Sequence, residues 1–335
     1  MSRPLVLLVL LLGAALGLTA CGSGAGSDAD LTIYSGRNEE LVGSLIERFE
    51  RESGLRVDVR YGDSAELAAT IAEEGDNSPA DVFFSQDAGA LGAIEDTLTP
   101  LPEPLLAAVP ERFRDPRDRW TGVSGRARVI AYNTDRFEER EVPDSVFDLT
   151  DERWRGKVGL PPPNASFQAF VSAMRLDVGD ERTRAWLEAM KANDVQTYDN
   201  NIQTVEAIGA GEIELGLVNH YYLYELKRED PGLAAANHFP ASGDPGSLVN
   251  VAGVGILKTS ESEEDALRFA RFLVAKRSQQ FFADETSEYP LVEGVQRRGE
   301  LPPLDAVIGP QVELGRLGEQ LRSTLKLLDE VGLTT

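Results

Sequence analysis

LTIYSGRNEELVGSLIERFERESGLRVDVRY, residues 31–61, carries two different periods of hydrophobicity. Leu31 to Tyr34 reads as a strand. Leu41, Val42, Leu45, Ile46 and Phe49 then recur at helical spacing, and Gly54 can end that helix with a left-handed backbone. Leu55, Val57 and Val59 alternate with Arg56, Asp58 and Arg60, the period of two expected of a strand. Working outward, Asp63 and Glu66 stand as cap and third helical residue before Leu67 and Ile71, with a stop at Gly75. Residues 81–85 read as another strand and 88–96 as another helix. A β-α-β-α-β run of this kind predicts an α/β fold with a mostly parallel sheet covered on both faces.

The alternation resumes downstream. Strands are expected over 157–160, 196–198 and 214–218, and helices over 167–176, 183–192, 201–210 and 222–228. Segments 101–119 and 239–247 are rich in Pro, Gly and charge and read as loops. Two segments differ from the rest: RARVIAYN at 126–133 and VNVAGVGILK at 249–258 are long, β-rich and far apart in the chain. They fit two α/β lobes joined by a pair of crossing strands, with a ligand cleft between the lobes. The expected division is residues 31–126 and 252–302 for lobe 1, and 127–251 and 303–335 for lobe 2.

Arg3 and an apolar run from Leu5 to Leu18 lead to Leu18-Thr19-Ala20-Cys21, which reads as a secretory leader over residues 1–21. The Cys after Leu-Thr-Ala resembles the bacterial lipobox, so Cys21 is expected to be the lipidated mature N-terminus. Residues 22–30 would then be a flexible tether, placing the protein outside the cytoplasm on the outer face of the cell membrane. Cys21 is the one cysteine in the chain, which leaves no thiol for disulfides or thiolate metal sites. With 56 Asp plus Glu against 33 Lys plus Arg, the formal net charge is −23, which disfavours nucleic acid as a partner.

Enzyme signatures are missing from the sequence: there is no Gly-x-Ser-x-Gly, His-Glu-x-x-His, Gly-x-x-x-x-Gly-Lys-Ser/Thr or Gly-x-Gly-x-x-Gly. With only two histidines, His220 and His238, zinc catalysis has few ligands to draw on. A carboxylate-based secreted hydrolase stays open, because 56 acids cannot be parsed for a pair.

The sequence resembles the ferric-ion-binding branch of the solute-binding proteins of ABC importers. The likeness runs through Leu31-Thr-Ile-Tyr-Ser-Gly-Arg-Asn38, Ser78-Pro-Ala-Asp-Val-Phe-Phe-Ser-Gln86, Ser124-Gly-Arg-Ala-Arg-Val129 and Trp154-Arg-Gly-Lys-Val-Gly159. It continues through Asn219-His-Tyr-Tyr-Leu-Tyr224, Asp244-Pro-Gly-Ser-Leu-Val249 and Glu288-Tyr-Pro-Leu291. The resemblance implies a two-lobe, type II periplasmic-binding-protein-like fold with paired hinge strands. It also implies a monomeric binding protein, not an enzyme, that hands iron(III) to a membrane permease.

By that resemblance, Tyr221 and Tyr222 are the metal ligands. The chemistry is sound, since iron(III) is a hard cation that favours anionic oxygen and can displace a phenol proton. Asn219 after a strand is a candidate helix cap, which would put both tyrosines in a first helical turn, where the dipole favours negative oxygen. Tyr224 reads as packing, and His220 as lying behind the site or in solvent. Many relatives have His where Asn38 stands and Glu where Gln86 stands, so two family ligands are lost here, with Asp87 a further candidate ligand. A co-bound carbonate or phosphate would restore charge. Arg126, Arg37, Asn164, Ala165, Ser166, Asn201 and Asn219 match the family's anion-binding positions. A surface ion pair is the alternative for either arginine. A different solute, such as a phosphonate, a polyamine or thiamine, is the alternative for the ligand.

Overall fold

The computed structural model describes residues 29–298 and 301–334; the leader, Cys21 and most of the tether lie outside them. In chain order the elements are β1 (Leu31–Ser35), α1 (Glu39–Ser53), β2 (Val57–Tyr61), α2 (Ser64–Glu74), β3 (Val82–Ser85), α3 (Ala88–Ala93) and α4 (Glu103–Leu106). Then come β4 (Trp120–Asn133), β5 (Val158–Leu160), α5 (Ala165–Val178), α6 (Asp180–Ala192), β6 (Gln196–Thr197), α7 (Asn201–Gly209), β7 (Leu215–Asn219) and α8 (Tyr221–Glu229). The chain finishes with β8 (Ala235–His238), β9 (Val249–Ile256), α9 (Glu263–Leu273), α10 (Lys276–Asp284), β10 (Tyr289–Pro290) and α11 (Leu317–Val331).

Local chemistry accounts for the early elements. Val42, Leu45, Ile46 and Phe49 are the buried stripe of α1, and Gly54 closes it at φ 76°. The Asp63 carboxylate accepts from the N–H groups of Ala65 and Glu66 and so starts α2.

The strands form one continuous path, β2-β1-β3-β9-β4-β7-β5-β6, with β10 and β8 also pairing on β4. β1 runs parallel to β2 and β3, and β5 parallel to β6 and β7, as the alternation predicted. The middle of the sheet departs from that expectation. There β3–β9, β9–β4, β4–β7 and β4–β8 are antiparallel, because the chain leaves the first half on β4 and returns on β9.

β4 is the strand that joins the halves, and all fourteen of its residues are buried. Trp120 to Ala127 pair with β9, whereas Arg128 to Tyr132 pair with β7. The change of partner falls between Ala127 and Arg128. α11 then packs on α3 and on α5. A Cβ on Gly92 would meet the Gly315 carbonyl oxygen at 1.9 Å, and one on Gly318 would meet that of Gly89 at 2.2 Å, so backbones touch there. On the α5 side, the Thr324 hydroxyl lies 2.9 Å from the Ser172 hydroxyl and accepts from Arg175 at 2.9 Å. The stretch expected to belong to lobe 2 thus touches elements of both halves.

Candidate functional site

At the seam of the sheet lies a cavity of about 110 Å³. β7 ends at Asn219 and α8 begins at Tyr221, so the two tyrosines are the first residues of the helix. Their rings lie 4.2 Å apart between centroids, at 31°. Consecutive residues of a regular helix point about 100° apart, and the helix start is where two neighbours can converge on one cavity. Tyr221 is buried, and burial, then the neighbouring Tyr222, pushes its phenol well above the usual value. It is neutral at pH 7 without a cation to displace the proton.

Opposite, the start of α5 forms a polar cradle. The side-chain Oδ1 of Asn164 accepts from the Ser166 N–H at 3.0 Å and the Ser166 hydroxyl at 2.6 Å. Asn201 Nδ2 donates to Asn164 Oδ1 at 2.9 Å and Ser166 Oγ at 3.1 Å, and Asn201 Oδ1 accepts from the Asn219 N–H at 3.2 Å. Asn164, Ala165, Ser166 and Asn219 line the cavity, while Asn201 is fully buried behind them.

The charges come mainly from β4, where alternation puts Ser124, Arg126 and Arg128 on one face. Arg126 and Arg128 line the cavity and are 4% and 2% exposed. Ser124 donates to Glu288 at 2.8 Å. Arg37 grips the same Glu288 through two bonds of 2.8 and 3.0 Å, and both residues are buried. Burial works to raise the Glu288 carboxyl, but Arg37, Arg126 and the Ser124 hydroxyl outweigh it and hold the carboxyl below its ordinary value. Arg126 lies 3.8 Å from Glu288 and donates to the Gln86 carbonyl oxygen. Arg128 donates to the carbonyls of Ser166 and Leu217 and to Asn201 Oδ1, and no carboxylate pairs with it among the described residues. Burial lowers the Arg128 guanidinium to about 9, so it remains charged at neutral pH.

Several expectations find their place here. Gln86 lines the cavity, but its Oε1 accepts from Arg37 at 2.8 Å. Asp87 also lines it and caps α3 through a bond from Ala90 N at 3.1 Å; burial raises its carboxyl, with Arg126 opposing. Asn38 is exposed at the start of α1 and is not part of the cavity. Arg37 sits behind the wall, committed to Glu288 and Gln86. Asn219 is not a helix cap: it is the last residue of β7, and His220 stands before α8. His220 is not in solvent either. It is fully buried, its Nδ1 accepts from the Ala127 N–H at 3.1 Å, and its Nε2 lies 2.9 Å from the Ser287 carbonyl. Burial lowers it to about 4, so it is a neutral strut joining α8 to the switch point of β4. Arg128 and Asn250, which line the cavity, and Glu288, which pairs with Arg37 behind it, were left without a role by sequence reasoning. Spacing of two from Arg126 on a strand was a usable signal for Arg128. Nothing local could have signalled Glu288.

Among the described residues, no group of three His, Cys, Asp or Glu side chains is placed to hold a metal ion. Tyr221, Tyr222, Asp87, Arg126 and Arg128 share the lining of the one cavity described above.

Comparison with known proteins gives the family and the fold. Residues 76–305 match the family model for a bacterial extracellular solute-binding protein. The Fe(3+)-binding periplasmic protein of Serratia marcescens is 30% identical over 330 residues, covering 97% of both chains. The major ferric iron-binding protein of Neisseria gonorrhoeae is 30% identical over 91% of this chain and 93% of its own. Among solved structures, iron-bound HitA from Pseudomonas aeruginosa superposes with a TM-score of 0.82 at 32% identity, covering 90% of this chain and 99% of that one. IdiA (FutA) of Trichodesmium, solved with iron and citrate, gives 0.80 at 30% identity over 90% and 99%.

Proposed function

The chain belongs to the bacterial extracellular solute-binding proteins, and from that premise we propose that it captures iron(III) with a small anion for delivery to an ABC importer. Its fold is the two-lobe, type II architecture of periplasmic binding proteins, and it is a binding protein, not an enzyme. We read the lobes as meeting where β4 changes partner, between Ala127 and Arg128.

The observation that carries the ferric reading is the stacked pair Tyr221 and Tyr222 at the start of α8, facing a cavity with two buried guanidiniums. Iron(III) supplies the charge needed to displace the phenol protons. We read Arg126, with the Asn164–Ser166 turn that lines the same cavity, as holding the anion, and Asp87 as the further candidate ligand. Arg37 contributes by fixing Glu288 and Gln86. Two arginines on the wall oppose a polyamine or thiamine, both cationic. A phosphonate keeps support from the same arginines and would bind without iron.

Titration with a ferric salt in the presence of carbonate tests this. One ion per chain should bind with a tyrosinate-to-iron band in the visible. Tyr221→Phe with Tyr222→Phe should abolish the band while the circular dichroism stays unchanged. A band that persists in the double variant, or an iron-independent phosphonate complex, contradicts the reading.

The pattern Leu18-Thr-Ala-Cys21 supports attachment to the outer face of the membrane through lipid on Cys21. Cys21→Ala should release the protein from the membrane fraction of cells; continued sedimentation with membranes contradicts the anchor.

A further inference from the structure

α11 touches both halves of the sheet, and it does so by two different means. On α5 and α6 it is held by polar bonds. Arg175 of α5 donates to Thr324 Oγ1 at 2.9 Å, Ser323 Oγ at 2.7 Å and the Gln320 carbonyl at 3.2 Å, and the Ser172 hydroxyl lies 2.9 Å from that of Thr324. From α6, Lys191 donates to the Val331 carbonyl at 2.6 Å and Arg184 pairs with Glu330 at 2.5 Å. On α3 no hydrogen bond holds it among the described residues. There the contact is backbone on backbone, Gly89 against Gly318 and Gly92 against Gly315, with no room for a Cβ at Gly89, Gly92 or Gly318. Polar bonds fix a helix in place, whereas bare backbones have no side chains to interlock and can slide on each other.

α11 also borders a groove of about 440 Å³ that separates α2 and α3 from α5, which it lines with Leu317, Gly318 and Leu321. Asp87 before α3 and Ala165 at the start of α5 line both this groove and the ligand cavity, so the spacing of α3 from α5 sets the width of the cavity. No residue of α11 lines the cavity itself. We propose that α11 is a strap: fixed to lobe 2, it bears on lobe 1 through glycine backbone alone, and the closeness of that bearing holds the lobes shut on the ligand. Closing draws α3 and α5 together and presses α11 onto α3; opening relieves that contact. This rests on the ferric reading above and adds to it a device that governs release.

Gly318→Ala wedges the bearing without touching the cavity. Iron release from the full mature chain, loaded in carbonate, is read as decay of the visible band in excess EDTA. Release should be about tenfold faster in Gly318→Ala, because an added methyl has no space in the closed form. The gain in Tm that iron gives over the iron-free protein should shrink; a contact that is only structural would lower both Tm values alike. The wedge acts through the bonds to α5, so in a Thr324→Val, Arg175→Leu background the same substitution should change the release rate less. An unchanged rate in a folded Gly318→Ala variant, or an equal effect in both backgrounds, overturns the proposal. Wild type alone gives a second test. Iron loading should slow amide exchange in peptides over residues 317–328, although none of them touches the ligand; unchanged exchange there overturns the strap even if Gly318→Ala fails to fold. Absence of a visible band in wild type instead overturns the ferric reading itself.

Discussion

The two walls of the cavity hold similar residues in opposite states. On one wall, Arg37, Glu288, Ser124 and Gln86 satisfy one another, and the ion pair at the centre is buried and closed. On the other, Arg128 is buried with no carboxylate paired to it among the described residues, and Tyr221 is a buried phenol kept neutral by its surroundings. The first wall has its central charges paired without a ligand. The second is left with charge of one sign and with protons to lose, both of which a metal and an anion would settle together. The same residue type therefore has a counter-charge at position 37 and, among the described residues, none from a carboxylate at position 128.

Breaking the closed wall should have the largest effect. Glu288→Gln leaves the Arg37 guanidinium, 0% exposed, without its counter-charge, and the expected loss of stability is about 3–5 kcal/mol. Urea unfolding of the iron-free protein measures it. A loss below about 1 kcal/mol, the range of an exposed pair, would mean that the wall is not closed.

The strut between the walls gives a smaller, pH-dependent effect. His220 is lowered by burial to about 4, below the unfolded value of about 6.5. The unfolded chain then binds more protons between those values, so stability rises with pH across that window and is lost as pH falls from about 6.5 toward 4. The full loss from this group is about 3 kcal/mol. His220→Gln should flatten the fall in Tm between those pH values relative to wild type; parallel profiles would contradict a buried neutral imidazole.

Much of the first wall's scaffold was legible in the sequence. The stripe of α1, the Asp63 cap and the strand ending at Ser85 follow from residues within one turn or one strand of each other. The same kind of signal exists in Ala266, Phe269, Ala270 and Leu273 of α9, whose helical period is equally plain. β4 was only half legible: burial at every position removes the alternation that would mark its length. The tyrosine pair came from resemblance, because residue type alone does not separate a ligand from packing. The opposed states of Arg37 and Arg128 could not be read at all. Their difference depends on Glu288, which lies 251 residues from Arg37 and reaches it only through the fold. Helix capping near the pair was misread for a related reason. Asn219 is the commoner cap residue, but its place in the β7 ladder opposite Arg128 holds it in the strand.

The central claim is that iron(III) binds by taking protons from Tyr221 and Tyr222. Proton release on loading, measured in weakly buffered solution at pH 7 with the same ferric chelate and anion for every protein, tests it most directly. Since a bound metal requires deprotonated ligands, wild type should release about one proton more than Tyr221→Phe or Tyr222→Phe, and about two more than the double variant. Equal release from wild type and the double variant, with iron still bound, would contradict the account.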